Sequence, residues 1–328
     1  MKKLSFIILI FILCLVFTVP GHATIKKLAQ TGLQFLKVDV GTRAAAMGGA
    51  YAMIGEDAAA MFYNPAGIAR LKNNYEFFIT RTQWIADINY NAGAFAANLG
   101  KWGSVGLTFI IADYGEILGT RVAPTEKGYE DIGTVDVGAF SIGISYARSL
   151  TEKFSVGGQV KLAAQNLGES ELGENEIVEN KVSGLAFDFG TMFYPGFKSF
   201  RFGMFIRNYS PQFKYEKEAF QLPLTFVIGA AMDLLDFMGE HETSSLLLGV
   251  DALHPRDYTE RIHIGAEYNF QEMISLRVGY KYNYDEEGLT AGVGFQKKLS
   301  SFGVKVGYSY SEFGVFDGVS RFEVGFTF

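Results

Sequence analysis

Alternation of apolar and polar residues in long segments constrains the fold of this chain more than any other feature. In the last segment, Phe322, Val324, Phe326 and Phe328 share one face of a strand and the intervening residues share the other. Fourteen segments repeat this period, and most are longer than the five to six residues that are usual in soluble domains. Roughly ten tilted residues are enough for a strand to cross a bilayer. The even number of segments therefore predicts a membrane-spanning β-barrel.

The predicted strands alternate between short turns and longer connections, as in bacterial outer-membrane barrels. They cover residues 74–84, 87–98, 102–116, 134–149, 154–167, 180–194, 200–209, 220–234, 244–254, 259–270, 274–284, 289–299, 302–312 and 319–328. The longest predicted outer loops are 117–133, 168–179 and 210–219. The connection 235–243 is also long, although it falls on the predicted periplasmic side. The expected fold is all-β: a 14-stranded antiparallel transmembrane β-barrel formed by residues 74–328.

The first 23 residues have the pattern of a secretory signal peptide. Two lysines precede an apolar run from Leu4 to Val19, and small residues lead to Ala23. Cleavage after Ala23 would leave 328 − 23 = 305 residues and change the formal charge from −6 to −8, because both lysines are lost. It would also remove Cys14, the only cysteine, so no disulfide or thiol chemistry is expected. The acidic balance argues against nucleic acid as a partner.

The segment from Gly41 to Ala69 is the one long stretch without the strand pattern. It is rich in alanine and glycine, whose small side chains let backbones approach closely. Asn64 followed by Pro65 predicts a short helix through Leu71, because asparagine caps helices and proline suits the first helical position. The segment suits packing inside another structure, and a helical cap on a soluble domain is the alternative.

The motifs of this segment resemble the N-terminal signature of PorV/PorQ-type proteins, which belong to the wider FadL-like family of outer-membrane barrels. The matching residues are Phe35–Leu36, Gly41–Ala50 and Asn64–Gly67. The resemblance implies that residues 24–73 form a hatch that plugs a 14-stranded barrel. The motif residues implied for the hatch are Gly48, Gly49, Asn64, Pro65, Ala66 and Gly67.

The resemblance implies two alternative functions. FadL-like proteins pass small hydrophobic molecules, such as long-chain fatty acids or lipid-like compounds, across the outer membrane. PorV and PorQ are components of type IX secretion whose barrels dock exported proteins. The modest loops favour transport. The candidate ligand-contacting residues, for which core packing is the alternative, are Met47, Met53, Met61, Phe62 and Tyr63.

The C-terminal Phe328 resembles the terminal aromatic residue by which the barrel-assembly machinery recognises outer-membrane barrels. The expected location is the outer membrane of a Gram-negative-type cell, after signal-peptide cleavage. The expected partners are outer-membrane lipids, the assembly machinery, and either a hydrophobic small molecule or a secreted protein. No G-x-S-x-G or G-x-G-x-x-G motif occurs in a suitable context, so we expect neither an enzyme nor a cofactor.

Charged residues on the polar face of the strands are expected to line the lumen, because a charge facing mid-bilayer lipid costs roughly 2–4 kcal/mol. They are Arg201, Arg207, Arg261, Arg277, Lys161, Lys281, Lys305, Asp188, Glu267 and Glu323. We expect them to form ion pairs with one another and with the hatch. Glycines within the strands, such as Gly157, Gly158, Gly292 and Gly294, are expected to leave space for the hatch and for barrel curvature.

Three polar features have open interpretations. Asp251, His254, Asp257 and His263 could cluster at the outer rim, but their spacing matches no metal motif, so we expect polar rim residues and no metal site. An acidic run in loop 168–179 is expected to be solvated, with binding of divalent cations as the alternative; its members are Glu169, Glu171, Glu174, Glu176 and Glu179. Pro223 marks either the start of a strand or a gap in the wall, through which FadL-like barrels are thought to release cargo.

Overall fold

The computed structural model describes residues 31–173, 176–238 and 243–328. The strands, in chain order, are β1 (Tyr75–Gln83), β2 (Asn89–Asn98), β3 (Ser104–Asp113), β4 (Ile117–Val122), β5 (Tyr129–Val135), β6 (Gly138–Ser149), β7 (Phe154–Gly173), β8 (Glu176–Phe193), β9 (Arg201–Tyr209), β10 (Phe213–Lys214), β11 (Ala219–Phe220), β12 (Thr225–Asp233), β13 (Ser244–Pro255), β14 (Arg261–Phe270), β15 (Ile274–Tyr282), β16 (Glu287–Lys298), β17 (Gly303–Phe313) and β18 (Phe316–Thr327).

Fourteen of these strands form one closed antiparallel barrel, in the order β1-β2-β3-β6-β7-β8-β9-β12-β13-β14-β15-β16-β17-β18 and back to β1. Closure pairs the first strand with the last, so that Glu76 lies opposite Thr327 and Gln83 opposite Ser320. A closed ring has no free edge, so every strand finds backbone partners within the wall. The predicted strand number and antiparallel arrangement are confirmed. No helix within the described residues is long and apolar enough to span a membrane.

The two faces of the wall differ as the alternation predicts. On β15, Leu276 and Val278 point outward with exposed fractions of 54% and 48%, whereas Lys281 points inward and is 6% exposed. An outward apolar face is what lipid requires, and the inward face can hold charge because it is shielded from lipid. We call the end of the barrel with the longer connections the loop end, and the opposite end the turn end.

The loop predictions were wrong in three places. Hairpin β4–β5 occupies much of 117–133, and the short hairpin β10–β11 begins within 210–219 and ends at Phe220. Strands β7 and β8 continue through most of 168–179 at the loop end. Hairpin hydrogen bonds do not need a bilayer, so paired strands can continue into solvent. Glu174 lies outside the described residues.

Strand β12 was predicted to begin at residue 220, and it begins at Thr225. Pro223 therefore precedes the strand and removes no hydrogen bond from the wall. Its carbonyl oxygen accepts a hydrogen bond from Asn208 Nδ2 at 3.1 Å, which ties the segment before β12 to the end of β9. This position agrees with the interpretation of Pro223 as a strand-start residue.

Residues 31–71, which we call the hatch, run through the barrel from the loop end to the turn end. Thr31 pairs with Gln221 at the loop end, and Arg70 donates a hydrogen bond to the Glu152 carbonyl at the turn end. The hatch contains an α-helix, Thr42–Ala46, and 3₁₀ helices Gln34–Lys37, Ala58–Phe62 and Pro65–Arg70. Other 3₁₀ helices are Ile85–Asp87, Gly100–Trp102 and Leu234–Phe237. The predicted boundary between residues 73 and 74 stays a prediction.

The helix predicted after Asn64 is present as Pro65–Arg70. Asn64 Oδ1 accepts a hydrogen bond from the Ala66 backbone N–H at 3.1 Å, which is the capping interaction expected of asparagine. Pro65 occupies the first helical position, where its missing N–H costs nothing. The local sequence therefore specifies this turn of the hatch.

Candidate functional site

Glycines on the inner face of the wall make room for the hatch. On ten strands, a Cβ added to one glycine would lie within 3.1 Å of a hatch atom. At Gly157, for example, it would be 2.5 Å from the Ala66 backbone nitrogen, and at Gly292 it would be 2.6 Å from Ala46 Cβ. We call these residues the glycine belt: Gly106, Gly157, Gly190, Gly203, Gly229, Gly249, Gly265, Gly279, Gly292 and Gly307.

Two glycines on the hatch side, Gly48 and Gly49, also lie where the hatch touches the wall. Gly48 and Gly49 have φ values of 63° and 77°, a backbone conformation that residues with a side chain rarely adopt. A Cβ at Gly48 would also lie 2.9 Å from the Tyr280 backbone nitrogen, and one at Gly49 would lie 2.8 Å from His263 Nδ1. Glycine is needed at both positions for conformation and for space.

Asn64 joins the hatch to itself and to the wall. Its Nδ2 donates hydrogen bonds to the carbonyl oxygens of Ala52 at 3.0 Å and Thr191 at 3.1 Å. Thr191 belongs to β8, and Asn64 fills the space that a side chain at Gly190 would take. One amide therefore fixes the turn of the hatch and attaches it to β8.

The five candidate ligand-contacting residues lie between hatch and wall. Met47, Met53 and Met61 have exposed fractions of 0–1%, and each faces glycines of the belt. Phe62 and Tyr63 line a cavity of about 20 Å³. These contacts are those of core packing, and a role for the five residues in ligand binding stays a prediction.

A buried ion cluster connects the middle of the hatch to β14 and β15. Glu267 accepts hydrogen bonds from Arg43 Nη2 and from Arg277 Nε, both at 2.6 Å. Arg43 Nη1 also lies 3.1 Å from Asp57 Oδ2, and Tyr51 donates its hydroxyl proton to the same carboxylate. Glu267 is buried between two guanidinium groups, so both strands and the hatch depend on it.

Most other inward charges also pair, as the sequence predicted, but among the described residues the Nε atoms of Arg207 and Arg261 are buried without a hydrogen-bond partner. Lys161 lies 2.7 Å from Asp188, and Lys281 lies 2.7 Å from Asp39 of the hatch. Two further contacts involve the hatch backbone: Glu323 accepts from the Thr42 N–H at 2.8 Å, and Arg201 Nε donates to the Met53 carbonyl at 2.5 Å. Lys305 pairs with Glu76. The lumen charges thus hold the hatch in the wall.

The polar rim residues take separate side-chain partners, although Asp251 and His263 lie opposite each other on β13 and β14. Asp251 Oδ2 accepts a hydrogen bond from the Ala52 N–H at 2.9 Å. His254 points outward and lies 3.3 Å from Glu260, whereas His263 is buried and contacts the Tyr284 hydroxyl. Among the residues that the structure describes, no three His, Cys, Asp or Glu residues are placed to hold a metal ion.

Asp257 holds the start of the hatch at the loop end. Its Oδ2 accepts hydrogen bonds from Thr31 Oγ1 at 2.7 Å, Gln34 Nε2 at 3.3 Å and Lys37 Nζ at 3.1 Å. Burial raises the pKa of the Asp257 carboxyl, but the donors from Thr31 and Lys37 outweigh burial and leave the pKa below its ordinary value. Asp257 is therefore an anchoring carboxylate at neutral pH.

A cavity of about 610 Å³ lies at the loop end, above residues 32–39 of the hatch. Aromatic side chains from several strands and loops form much of its wall, including Trp84, Tyr90, Tyr114, Tyr258 and Phe313. Its charged lining residues are Lys37, Asp39, Arg261, Lys281 and Glu287. The sequence analysis missed this cavity, although aromatic residues near the loop ends of predicted strands were a signal for it.

Comparison with known proteins places the chain among membrane proteins. Residues 58–327 match the family described as type IX secretion system membrane protein PorP/SprF. No curated protein matches the chain significantly.

Among solved structures, the fold is similar to the CymD monoaromatic hydrocarbon channel, at a TM-score of 0.56 and 13% identity, covering 89% of this chain and 98% of that one. It is also similar to the Pseudomonas putida toluene transporter TodX, at 0.56 and 12%, covering 88% and 96%. At these identities the likeness concerns the fold alone.

Proposed function

Because this chain belongs to the PorP/SprF family of type IX secretion system membrane proteins, we propose that it serves protein secretion as a closed outer-membrane barrel. Its contribution is to bind other proteins of the pathway rather than to conduct them through its own lumen. The closer assignment to PorV/PorQ-type proteins, which rests on the hatch motif, is part of this proposal.

The observation that carries the proposal is the fit of the hatch against the glycine belt. Ten wall strands approach the hatch so closely that none could carry a side chain at the contact without displacement. Ion pairs from Lys281 and Glu267 add bonds that must break before the hatch can leave. An unfolded polypeptide would need all of this contact to open, so passage through the lumen is disfavoured.

The surface available to an exported protein lies at the loop end, which the connection lengths assign to the cell exterior. Hairpin β4–β5 is a separate two-stranded sheet there. Two of its apolar side chains are largely exposed: Val122 is 91% exposed and Leu118 is 73% exposed. Exposed apolar residues next to polar ones are typical of protein-binding surfaces. Hairpin β4–β5 is therefore our candidate contact for an exported partner.

A test of the proposal compares secretion in three strains: one that lacks the gene, one complemented with the wild-type chain, and one with Leu118→Glu and Val122→Glu. We expect surface-exposed exported proteins to fall in the first strain and to stay low in the third, although the variant barrel folds. A matched control is Thr125→Ser, a mild change at the tip of the same hairpin. Unchanged secretion in the strain that lacks the gene would overturn the proposal.

The second candidate function is passage of small hydrophobic molecules, as the FadL-like resemblance implies. The 610 Å³ cavity favours it, because its size is in the range of small-molecule sites and aromatic residues line it. CymD and TodX, whose folds are similar, are named as a monoaromatic hydrocarbon channel and a toluene transporter. Uptake of labelled toluene into proteoliposomes, compared with empty liposomes, tests this alternative. A rate equal to that of empty liposomes would exclude it.

A further inference from the structure

We propose that a small cavity inside the barrel, between the hatch and the wall, binds one chloride ion. The inference goes beyond the proposed function, because it concerns an inorganic ion held by the purified barrel and does not depend on secretion. It rests on an inward arginine without a partner, on the charges around that arginine, and on the size and hydrogen-bond donors of the cavity.

This space, which we call the inner cavity, has a volume of about 20 Å³ and is distinct from the loop-end cavity. Its hatch side is largely apolar, with Val38 and Phe62 among the lining residues. The polar residues that line it come from β3, β6, β7 and β9: Thr108, Ser141, Gln159, Lys161 and Arg207. A space of this size holds about one particle as large as a water molecule. A single halide ion fits it, and a polyatomic organic ligand does not.

Arg207 lies on β9 and is the unpaired cation of the inner cavity. Its Nε is buried without a partner, and within residues 31–173, 176–238 and 243–328 its guanidinium group forms no ion pair and no hydrogen bond. An arginine stays protonated in a protein, and a buried charge without a partner costs free energy. Arg207 is therefore a fixed positive charge whose counter-charge the described residues do not supply.

The carboxylate on the neighbouring strand is already in use. Asp188 of β8 accepts from Lys161 Nζ at its Oδ2 and from the Asn208 backbone N–H at its Oδ1, both at 2.7 Å. Lys161 and Asp188 together carry no net charge. The pair therefore leaves the charge of Arg207 uncompensated.

Charges elsewhere in the lumen do not change this count. At the loop end three carboxylates match three cations: Asp257, Asp39 and Glu287 against Lys37, Lys281 and Arg261. Asp251 and Glu323 accept hydrogen bonds from backbone N–H groups of the hatch, and neither lines the inner cavity. The surplus at the inner cavity is one positive charge, which selects a monovalent anion.

The other polar groups of the inner cavity offer donors. Gln159 Nε2 donates to Thr108 Oγ1 at 3.0 Å and to Ser145 Oγ at 2.8 Å, so the Thr108 hydroxyl proton is available to another acceptor. The Ser141 hydroxyl has no partner among the described residues. With the cations Lys161 and Arg207, four side chains can donate into one small space. A water molecule has two lone pairs and could accept from only two of them, whereas a chloride ion accepts from all four.

Chloride is expected to stabilise the folded barrel, because a ligand that binds only the folded state shifts unfolding by mass action. The measurement is the urea midpoint of the purified full-length chain in detergent, as sodium chloride replaces sodium gluconate at constant ionic strength. Gluconate is too large for the inner cavity. We expect the midpoint to rise with chloride and to level off, and sodium bromide to give the same result.

Arg207→Gln is expected to weaken the apparent affinity for chloride by about tenfold, because the charge-assisted donors are lost. Arg207→Lys should weaken it less, since the charge remains. Ser141→Ala, which keeps every charge, should weaken it by about fivefold through the loss of one hydrogen bond. The matched control is Arg148→Gln, which removes an exposed arginine from the end of β6, outside the inner cavity.

Crystals grown with bromide in place of chloride give a direct readout, because bromide scatters anomalously. One anomalous peak is expected within hydrogen-bond distance of Arg207 and Lys161. Equal midpoints in chloride and gluconate, or saturating bromide without a peak in the inner cavity, would overturn the inference. A chloride response of Arg207→Gln equal to that of Arg148→Gln would also overturn it. If Arg207→Gln does not fold, Ser141→Ala and the bromide peak decide.

Discussion

The backbone N–H of Phe328 donates a hydrogen bond to the Tyr75 carbonyl at 2.9 Å, and the Tyr75 N–H donates back to the Phe328 carbonyl at 3.2 Å. The last residue of the chain is thus bonded to the first residue of β1. The Phe328 carbonyl also accepts from the Asn74 N–H at 2.9 Å. The seam of the barrel closes at the C-terminal residue, on the side where the Phe328 ring stacks on Phe302.

Phe328→Asp is expected to lower the yield of assembled barrel in cells severalfold. The change leaves the backbone bonds to Tyr75 possible but removes the aromatic ring that we expect the assembly machinery to recognise. The comparison is Glu169→Gln, a polar change at an exposed position of β7. The yield is measured as the amount of heat-modifiable protein in the outer-membrane fraction. Equal yields for the two variants would contradict the prediction.

Gly157→Ala should destabilise the barrel by roughly 1–3 kcal/mol, because the new methyl group would overpack against the Ala66 backbone. Gly158→Ala is the matched control. It changes the next residue of the same strand, where the nearest atom to an added Cβ lies 3.5 Å away. Urea unfolding of both proteins gives the difference, and comparable midpoints would show that the hatch contact is looser than described.

Glu267→Gln should cost about 3–5 kcal/mol of stability, because it leaves Arg277 and the partly buried Arg43 without their shared carboxylate. Glu130→Gln removes one partner of an exposed ion pair with Arg121. Exposed pairs contribute about 0–1 kcal/mol, so little change is expected there. Unfolding by urea distinguishes the two, and a small effect of Glu267→Gln would mean that the cluster holds the hatch only weakly.

Val278→Arg should destabilise the membrane-embedded barrel by roughly 2–4 kcal/mol, since Val278 points outward near the middle of β15. Val122→Arg introduces the same group on hairpin β4–β5, outside the wall, and should be tolerated. Folding into lipid vesicles, followed by gel migration, provides the measurement. Equal folding efficiencies would mean that Val278 does not face lipid.

Deletion of residues 41–71 should turn a nearly closed barrel into a conducting one. A 14-stranded barrel is too wide for wall side chains alone to fill its interior. Asn64→Leu should open it partially, because the Asn64 amide bonds to Ala52 and Thr191 are lost. Single-channel conductance in planar bilayers tests both variants beside the full-length chain. A folded deletion variant that conducts no more than the full-length protein would show that the hatch is not the seal.

The barrel could be predicted from the sequence because its signals are local. Alternation and segment length predict the strand number, and Asn64 followed by Pro65 predicts the start of the helix Pro65–Arg70. Hairpin β4–β5 could not be predicted in this way. Its paired residues Ile117 and Val135 are eighteen positions apart in a stretch rich in charge and glycine, and nothing in the local pattern distinguishes it from a loop.

The contacts of the lumen were predictable in kind but not in detail. Glycines within the strands were expected to leave space for the hatch, and Gly157 and Gly292 do so. Their neighbours Gly158 and Gly294 instead face Phe189 and the Arg277 guanidinium group. The loop-end cavity was missed because residues from many strands meet there, and only the closed ring shows that Trp84 and Arg261 share one wall.

The glycine belt has a consequence for the order in which the molecule is made. A wall that has already closed offers no gap through which residues 42–66 could be inserted, since the bulky hatch residues Met47 and Met53 sit against belt glycines of four strands. The strands must therefore curl around a hatch that is already present, and the Tyr75–Phe328 seam is the last to close. A wall of residues 74–328 assembled first and then given the hatch as a separate peptide should never recover the native arrangement, whereas the two pieces made together should. The native position of the hatch would thus be set during assembly of the wall and not after it.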